Sequence, residues 1–264
     1  MSNILFEILE SRKKSLEQQF KKLNALDKKS KDQNRGSLSS AIKVNNGISI
    51  ISEIKPASPT LGEIRNEINI PELVHIMEES GVIGLSILTE PKYFSGSFSN
   101  LYLASEESNL PCLMKDFVFC DTQFKIAQDL GATNILLINL LGNLEEMLEL
   151  AQEFNLEPLI EIHNIEEIKD IEHLKEIGMK LNLIGVNNRN LKTLEIDLSV
   201  SEVLIPEIKR LFDDNIIVIS ESGINSLEDI KYLQSYGADA FLIGSSIMKS
   251  ENIKKKILSL RGII

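Results

Sequence analysis

Residues 131–138 read Gly131-Ala132-Thr133-Asn134-Ile135-Leu136-Leu137-Ile138, and residues 237–244 follow the same pattern as Gly237-Ala238-Asp239-Ala240-Phe241-Leu242-Ile243-Gly244. In each, a glycine precedes a short, near-continuous apolar run. A glycine there supplies the left-handed turn that ends a helix. An unbroken apolar run marks a strand buried on both faces of a parallel sheet. Gly81 and Gly178 stand in the same place before similar runs, and successive members of the set are 50, 47 and 59 residues apart. Each interval is the length of two strand–helix units, a period that signals a repeated architecture.

Working outward, strands are expected at 48–54, 84–88, 112–117, 134–138, 158–162, 183–186, 216–220 and 240–243. Amphipathic stretches lie between them; Leu144, Met147, Leu148, Ala151 and Phe154 hold helical spacing. Eight strands alternating with helices over about 215 residues match a (β/α)8 TIM barrel of the α/β class. An open doubly wound sheet gives no reason for eight units, and no glycine-rich dinucleotide fingerprint follows the first strand. Residues 1–47 read as a helical N-terminal extension to the barrel of 48–264. Ile4, Leu5, Ile8, Leu9, Leu16, Phe20 and Leu23 fall near one helical face, and polar residues 27–40 read as a mobile connection.

A net charge of -11 and a pI near 4.9 argue against nucleic acid or an anionic membrane as partner. The two cysteines, Cys112 and Cys120, read as reduced thiols. Glu7 and Glu10 stand where a secretory signal would be basic and then apolar, and no apolar run reaches membrane-span length. A cytoplasmic protein is expected, monomeric or weakly homo-oligomeric.

In such a barrel the active site lies at the C-terminal ends of the strands. There the sequence places Glu53 and Lys55, Lys115 and Asp116, Glu161 and His163, Asn187 to Asn190 with Arg189 among them, Glu221 and Ser222, and Gly244 to Ser246. Charged groups inside apolar strands are costly unless paired or used. Six of eight strands ending this way predict a catalytic mouth. Loops after the seventh and eighth strands are the common phosphate cradle of this fold. Here they read Ser222-Gly223-Ile224 and Gly244-Ser245-Ser246, with Ser58 available from the first loop.

Several segments together resemble the indole-3-glycerol phosphate synthase family. They are Ile51-Ser-Glu-Ile-Lys-Pro-Ala-Ser-Pro-Thr, Ser86-Ile-Leu-Thr-Glu-Pro-Lys-Tyr-Phe-Ser-Gly-Ser, Pro111-Cys-Leu-Met-Lys-Asp-Phe, Ile160-Glu-Ile-His, Gly185-Val-Asn-Asn-Arg-Asn-Leu and Ser220-Glu-Ser-Gly-Ile. The resemblance runs in order from Asn3 to Met248. It implies a carbon–carbon lyase of tryptophan biosynthesis that forms indole-3-glycerol phosphate, releases carbon dioxide and water, and needs no cofactor or metal. By motif, Lys115 matches the general acid of ring closure and Glu161 the carboxylate that handles protons in dehydration. Lys55, paired with Glu53, matches the lysine that binds the substrate carboxylate. Asn187 and Glu221 match groups that orient intermediates and the catalytic lysine. Ser58, Ser222, Gly223, Gly244 and Ser245 match the phosphate site, and Arg189 a motif arginine near the substrate. Phe94, Phe117, Leu137, Leu191 and Leu194 are expected around the anthranilate ring. The resemblance also implies that the N-terminal extension covers the mouth. Pro56, Leu61 and Met114 depart from the family's usual residues, which bears on the shape of the first loop.

Ring closure makes the same demands independently. A ketone attacked by an arene needs a proton as its oxygen gains charge. Anionic groups at both ends of the substrate need donors. Competing readings are phosphoribosylanthranilate isomerase or another phosphate-binding barrel, and a barrel that only binds a phosphometabolite.

Overall fold

A computed structural model describes residues 4–25, 35–65, 68–213 and 215–264. Its eight principal strands are β1 (Ser49–Ile54), β2 (Gly84–Leu88), β3 (Cys112–Lys115), β4 (Asn134–Ile138), β5 (Glu157–Ile162), β6 (Leu183–Asn187), β7 (Ile217–Glu221) and β8 (Ala240–Ile243). Each pairs in parallel with the next, and β8 closes on β1, giving the (β/α)8 barrel. The expected boundaries hold within two residues. Gly81, Gly131, Gly178 and Gly237 all have φ between +80° and +98°, as the helix-to-strand turns require.

Strand alternation sorts the side chains into two cores. Ile51, Leu113, Leu136, Leu159, Leu183, Ile219 and Leu242 cluster inside the barrel. Ile50, Met114, Ile135, Leu137, Ile160, Val218 and Phe241 belong to the layer between strands and helices. This parity decides the site. Glu53, Lys115, Glu161, Asn187 and Glu221 lie an even number of residues beyond an inward aliphatic on their own strands. They therefore point into the barrel at its C-terminal end.

The N-terminal extension serves both ends of the barrel. Helix α1 (Ile4–Ala25) buries Leu5, Ile8 and Leu16 as expected, with Ile4, Leu9 and Phe20 partly covered. The side chain of Leu23 lies outside the described residues. The most buried side chain of this face is a charged one, Arg12. Its guanidinium grips Asp116 through Nε–Oδ1 at 2.8 Å and Nη2–Oδ2 at 2.7 Å, and lies 5.1 Å from the Phe98 ring centre. Thr89 and the Phe117 N–H complete the donors to Asp116. Helix α1 is thereby tied to the residue after Lys115, at the mouth.

The expected mobile connection divides. Residues 27–34 lie outside the described residues, whereas 35–40 are held firmly. Arg35 donates to the carbonyls of Ser105, Ser108 and Gly131. Ser37 caps helix α2 (Leu38–Val44), which sits at the N-terminal ends of the strands, opposite the mouth. There the Leu38 N–H donates to Asn134 Oδ1, and Ser39 donates to Glu157 through both its N–H and its hydroxyl. Leu38 fills the space that a side chain on Gly84 would need. Residues 35–47 thus do not cover the mouth; they close the barrel floor. None of the described helices is long and apolar enough to cross a membrane.

Candidate active site

The mouth holds a cavity of about 470 Å³, within the range of small-molecule sites. Lys115 is its centre. The ammonium lies 2.5 Å from Glu221 Oε2 and 3.1 Å from Glu161 Oε2. Lys55, just past β1, lies 2.5 Å from Glu53 Oε1. The two lysine side chains are 15% and 16% exposed, against 1–3% for the three carboxylates. The cavity therefore meets ammonium groups first, with the carboxylates behind them.

The electrostatics follow from this crowding. Burial opposes the charge on Lys115, but Glu161, Glu221 and Glu53 outweigh it and raise its pKa above the ordinary lysine value. Burial would raise the Glu161 carboxyl; Lys115 and His163 overcome that and hold it well below the usual carboxylate range. Glu221 goes the other way. Burial, with the Glu161 and Glu53 charges added, outweighs Lys115 and pushes it up to about 7. Two carboxylates on one lysine are thus driven apart in acidity, the pattern that separates acid from base roles.

Asn187 and Arg189 line the cavity from the β6 loop. Asn187 Oδ1 accepts the Arg189 N–H, and Arg189 donates to the Leu194 carbonyl at 2.9 Å. That bond and the Arg189–Ile196 bridge fold the loop so that Leu191 and Leu194 wall the cavity. Phe94 and Phe117 form another wall, their ring centres 6.1 Å apart. Ser222, Gly223, Gly244 and Ser245 line one side together. Ser222 and Gly223 both have positive φ, +67° and +86°, a turn in which the second position suits glycine. A Cβ on Gly223 would strike Ile196, and one on Gly244 would strike the Glu53 carboxylate.

Two expected residues are not brought to this cavity. Leu137 points outward into the helix layer, while its neighbours Leu136 and Ile138 line the cavity; the alternation of β4 excludes 137 from the interior. Ser58 is buried in the short hairpin of Ala57–Ser58 and Gly62–Glu63, where its hydroxyl accepts the Leu61 N–H at 3.2 Å. Thr60 and Leu61 of that hairpin reach the mouth instead. Asn188 ties the β6 and β7 ends together through Ser220 and the Ser222 carbonyl. Lys249 and Asn225 also line the cavity and escaped sequence reasoning, because neither lies on a strand end.

Comparison with known proteins agrees with this geometry. A family model described as indole-3-glycerol phosphate synthase matches residues 5–260. An indole-3-glycerol phosphate synthase of Methanocaldococcus jannaschii is 44% identical, covering 96% of this chain and 97% of its own. Those of Bacillus mycoides and Aquifex aeolicus are 38% and 40% identical, covering 96% and 82% of each chain. Among solved structures, a mutant tryptophan synthase α-subunit from Pyrococcus furiosus superposes with a TM-score of 0.62. It covers 81% of this chain and 98% of its own at 15% identity, a likeness of fold alone. With the match running through every strand that ends in the mouth, the chain belongs to the indole-3-glycerol phosphate synthase family.

Proposed function

We propose that this mouth closes an indole ring. It converts 1-(2-carboxyphenylamino)-1-deoxy-D-ribulose 5-phosphate into indole-3-glycerol phosphate, with loss of carbon dioxide and water, as a carbon–carbon lyase of tryptophan biosynthesis. The observation that carries this reading is the Lys115 ammonium, held by Glu161 and Glu221 in an aromatic- and aliphatic-walled cavity beside the Gly223–Gly244 side.

The roles follow from position. Phosphate lies against Ser222, Gly223, Gly244 and Ser245, with Lys249 at the rim. The aromatic ring lies between Phe94, Phe117, Leu191 and Leu194. Lys55 and Arg189 meet the substrate carboxylate. The ring carbon bearing that carboxylate attacks the ketone, and Lys115 gives its proton to the oxygen as charge develops there. Asn187 supports the same oxygen. Loss of carbon dioxide restores aromaticity. Lys55 then protonates the leaving hydroxyl, and Glu161 takes the proton whose loss completes the indole. Glu53 and Glu221 hold the two lysines in place.

The test is continuous indole fluorescence from that substrate, with carbon dioxide counted in parallel. One product and one carbon dioxide per substrate are expected. Turnover of phosphoribosylanthranilate in their place would favour the isomerase reading, and binding without turnover would leave only a phosphometabolite receptor.

Gly244 gives a second expectation. A cradle glycine acting alone would affect only substrate binding when replaced. Here a Cβ would strike Glu53, the partner of Lys55. Gly244→Ala is therefore expected to raise KM and lower kcat together, by about tenfold or more in kcat/KM. The check is steady-state kinetics; a rise in KM alone would show that the Glu53–Lys55 pair is undisturbed.

A further inference from the structure

The reaction as described gives no part to a histidine buried beside Glu161. His163 sits two residues beyond Glu161, its side chain 4% exposed, at the back of the site. Glu161 has two oxygens and two cationic neighbours. Oε2 faces Lys115 at 3.1 Å, and Oε1 faces His163 Nε2 at 3.0 Å. On the far side of the ring, Nδ1 lies 3.7 Å from Glu167 Oε1. Both are contacts of charge rather than aligned hydrogen bonds.

Glu167 is itself anchored. It accepts from the His163 N–H at 3.1 Å, from Asn164 at 2.6 Å, and from Asn139 Nδ2 at 3.0 Å. Asn139 comes from the turn Asn139–Leu141 after β4, and its other partner is Asp170 on helix α3 (Ile168–Glu176). Around the ring, then, stand Glu161 from β5, Glu167 from the turn Ile165–Glu167, Lys115 beyond Glu161, and Asp170 beyond Asn139. A free buried carboxylate would rotate between its neighbours or take up a proton. Here the second oxygen faces a buried ring 3.0 Å away, whose far edge stands 3.7 Å from the anchored Glu167.

We propose that His163 is a positioning residue for dehydration. Held as an imidazolium by Glu167, it fixes the rotamer of Glu161, keeps that carboxylate ionised, and turns its other oxygen toward Lys115, from where it acts as base. Burial alone would drive the ring neutral, but Glu161 and Glu167 outweigh it and raise its pKa to about 9, so it is charged at neutral pH. This inference rests on the base role given to Glu161.

The experiment compares His163→Gln, Glu167→Gln, Glu161→Gln and the double variant H163Q/E161Q. H163Q is expected to lower kcat by about tenfold to a hundredfold with KM within about twofold, as for loss of a charged contact that matters in the transition state. Removing a cation raises the Glu161 pKa. The acid limb of kcat against pH therefore moves to higher pH, a change that loosened packing would not produce. E167Q keeps shape and is expected to move both readouts the same way by less; it carries the test if H163Q does not fold. The double variant is expected to be no slower than E161Q, because the histidine acts only through that carboxylate. A full loss in E161Q with wild-type kcat and pH profile in H163Q or E167Q would overturn the inference alone. So would a further equal loss in the double variant. Wild-type turnover in E161Q would overturn the role of Glu161 and this inference with it.

Discussion

Lys115→Met is expected to lower turnover by about a hundredfold to ten-thousandfold while KM changes little. Ring closure turns a neutral carbonyl into an alkoxide, so the missing proton donor is felt in the transition state and not when substrate binds. Methionine keeps the stem length and removes the proton and the charge. The site explains why the lysine arrives protonated: Glu161 and Glu221 stand 3.1 and 2.5 Å from the ammonium. It also sets the control. Without Lys115, two carboxylates that are 1–3% exposed face each other with no shared cation. Glu221, already pushed up to about 7, takes a proton near neutrality and relieves the repulsion. The variant is therefore expected to fold, as thermal unfolding and product binding will check. Turnover within tenfold of wild type would remove Lys115 from the chemistry.

Arg12→Met is expected to produce the largest structural effect. The Arg12 and Asp116 side chains are both fully buried, and removing one partner of such a pair costs about 3–5 kcal/mol because a charge is left unpaired. Asp116 retains Thr89 and the Phe117 N–H, which is not enough for a carboxylate out of water. The cheapest relief is for α1 to lift and admit water. Trypsin is expected to cut at Lys13, Lys14 or Lys21 in the variant and to spare them in the wild type, with kcat/KM falling as Leu5 and Ile8 leave the apolar cluster that also holds Phe117. An uncut α1 with unchanged kinetics would show that the aliphatic face alone docks the helix.

The barrel was legible in the sequence because its signals are local. The glycine turns and apolar runs are properties of a few consecutive residues, and all eight strands fall where those signals stand. The candidate mouth was legible because polar residues at buried strand ends are rare without a purpose. What escaped has a different character. Leu137 faces the helix layer rather than the cavity by a single step of alternation, which the all-apolar run of residues 135–138 does not reveal. Ser58 matches the family motif, and the hairpin sets its hydroxyl against the Leu61 N–H, outside the residues that line the cavity. Arg12 falls on the face of Leu5, Ile8 and Leu16 at helical spacing, yet a charge among lysines reads as solvent-facing until its partner 104 residues away is known. Helix α2 was hidden because seven residues give little periodicity and its buried contacts are made with distant strand starts. Its place on the floor also means that deleting residues 1–47 would remove more than a mouth cover.

Rapid-quench analysis of a single turnover tests the central claim most directly, with Lys115→Met and Glu161→Gln run beside the wild type. If Lys115 is the acid of ring closure and Glu161 the base of dehydration, the two variants stall at different places. K115M is predicted to hold unreacted substrate, with no carbon dioxide released. E161Q is predicted to release carbon dioxide and accumulate a cyclised, decarboxylated intermediate that loses water slowly. If K115M instead accumulates that intermediate, Lys115 acts in dehydration, the acid of ring closure must be Lys55, and the division of labour described for this mouth is wrong.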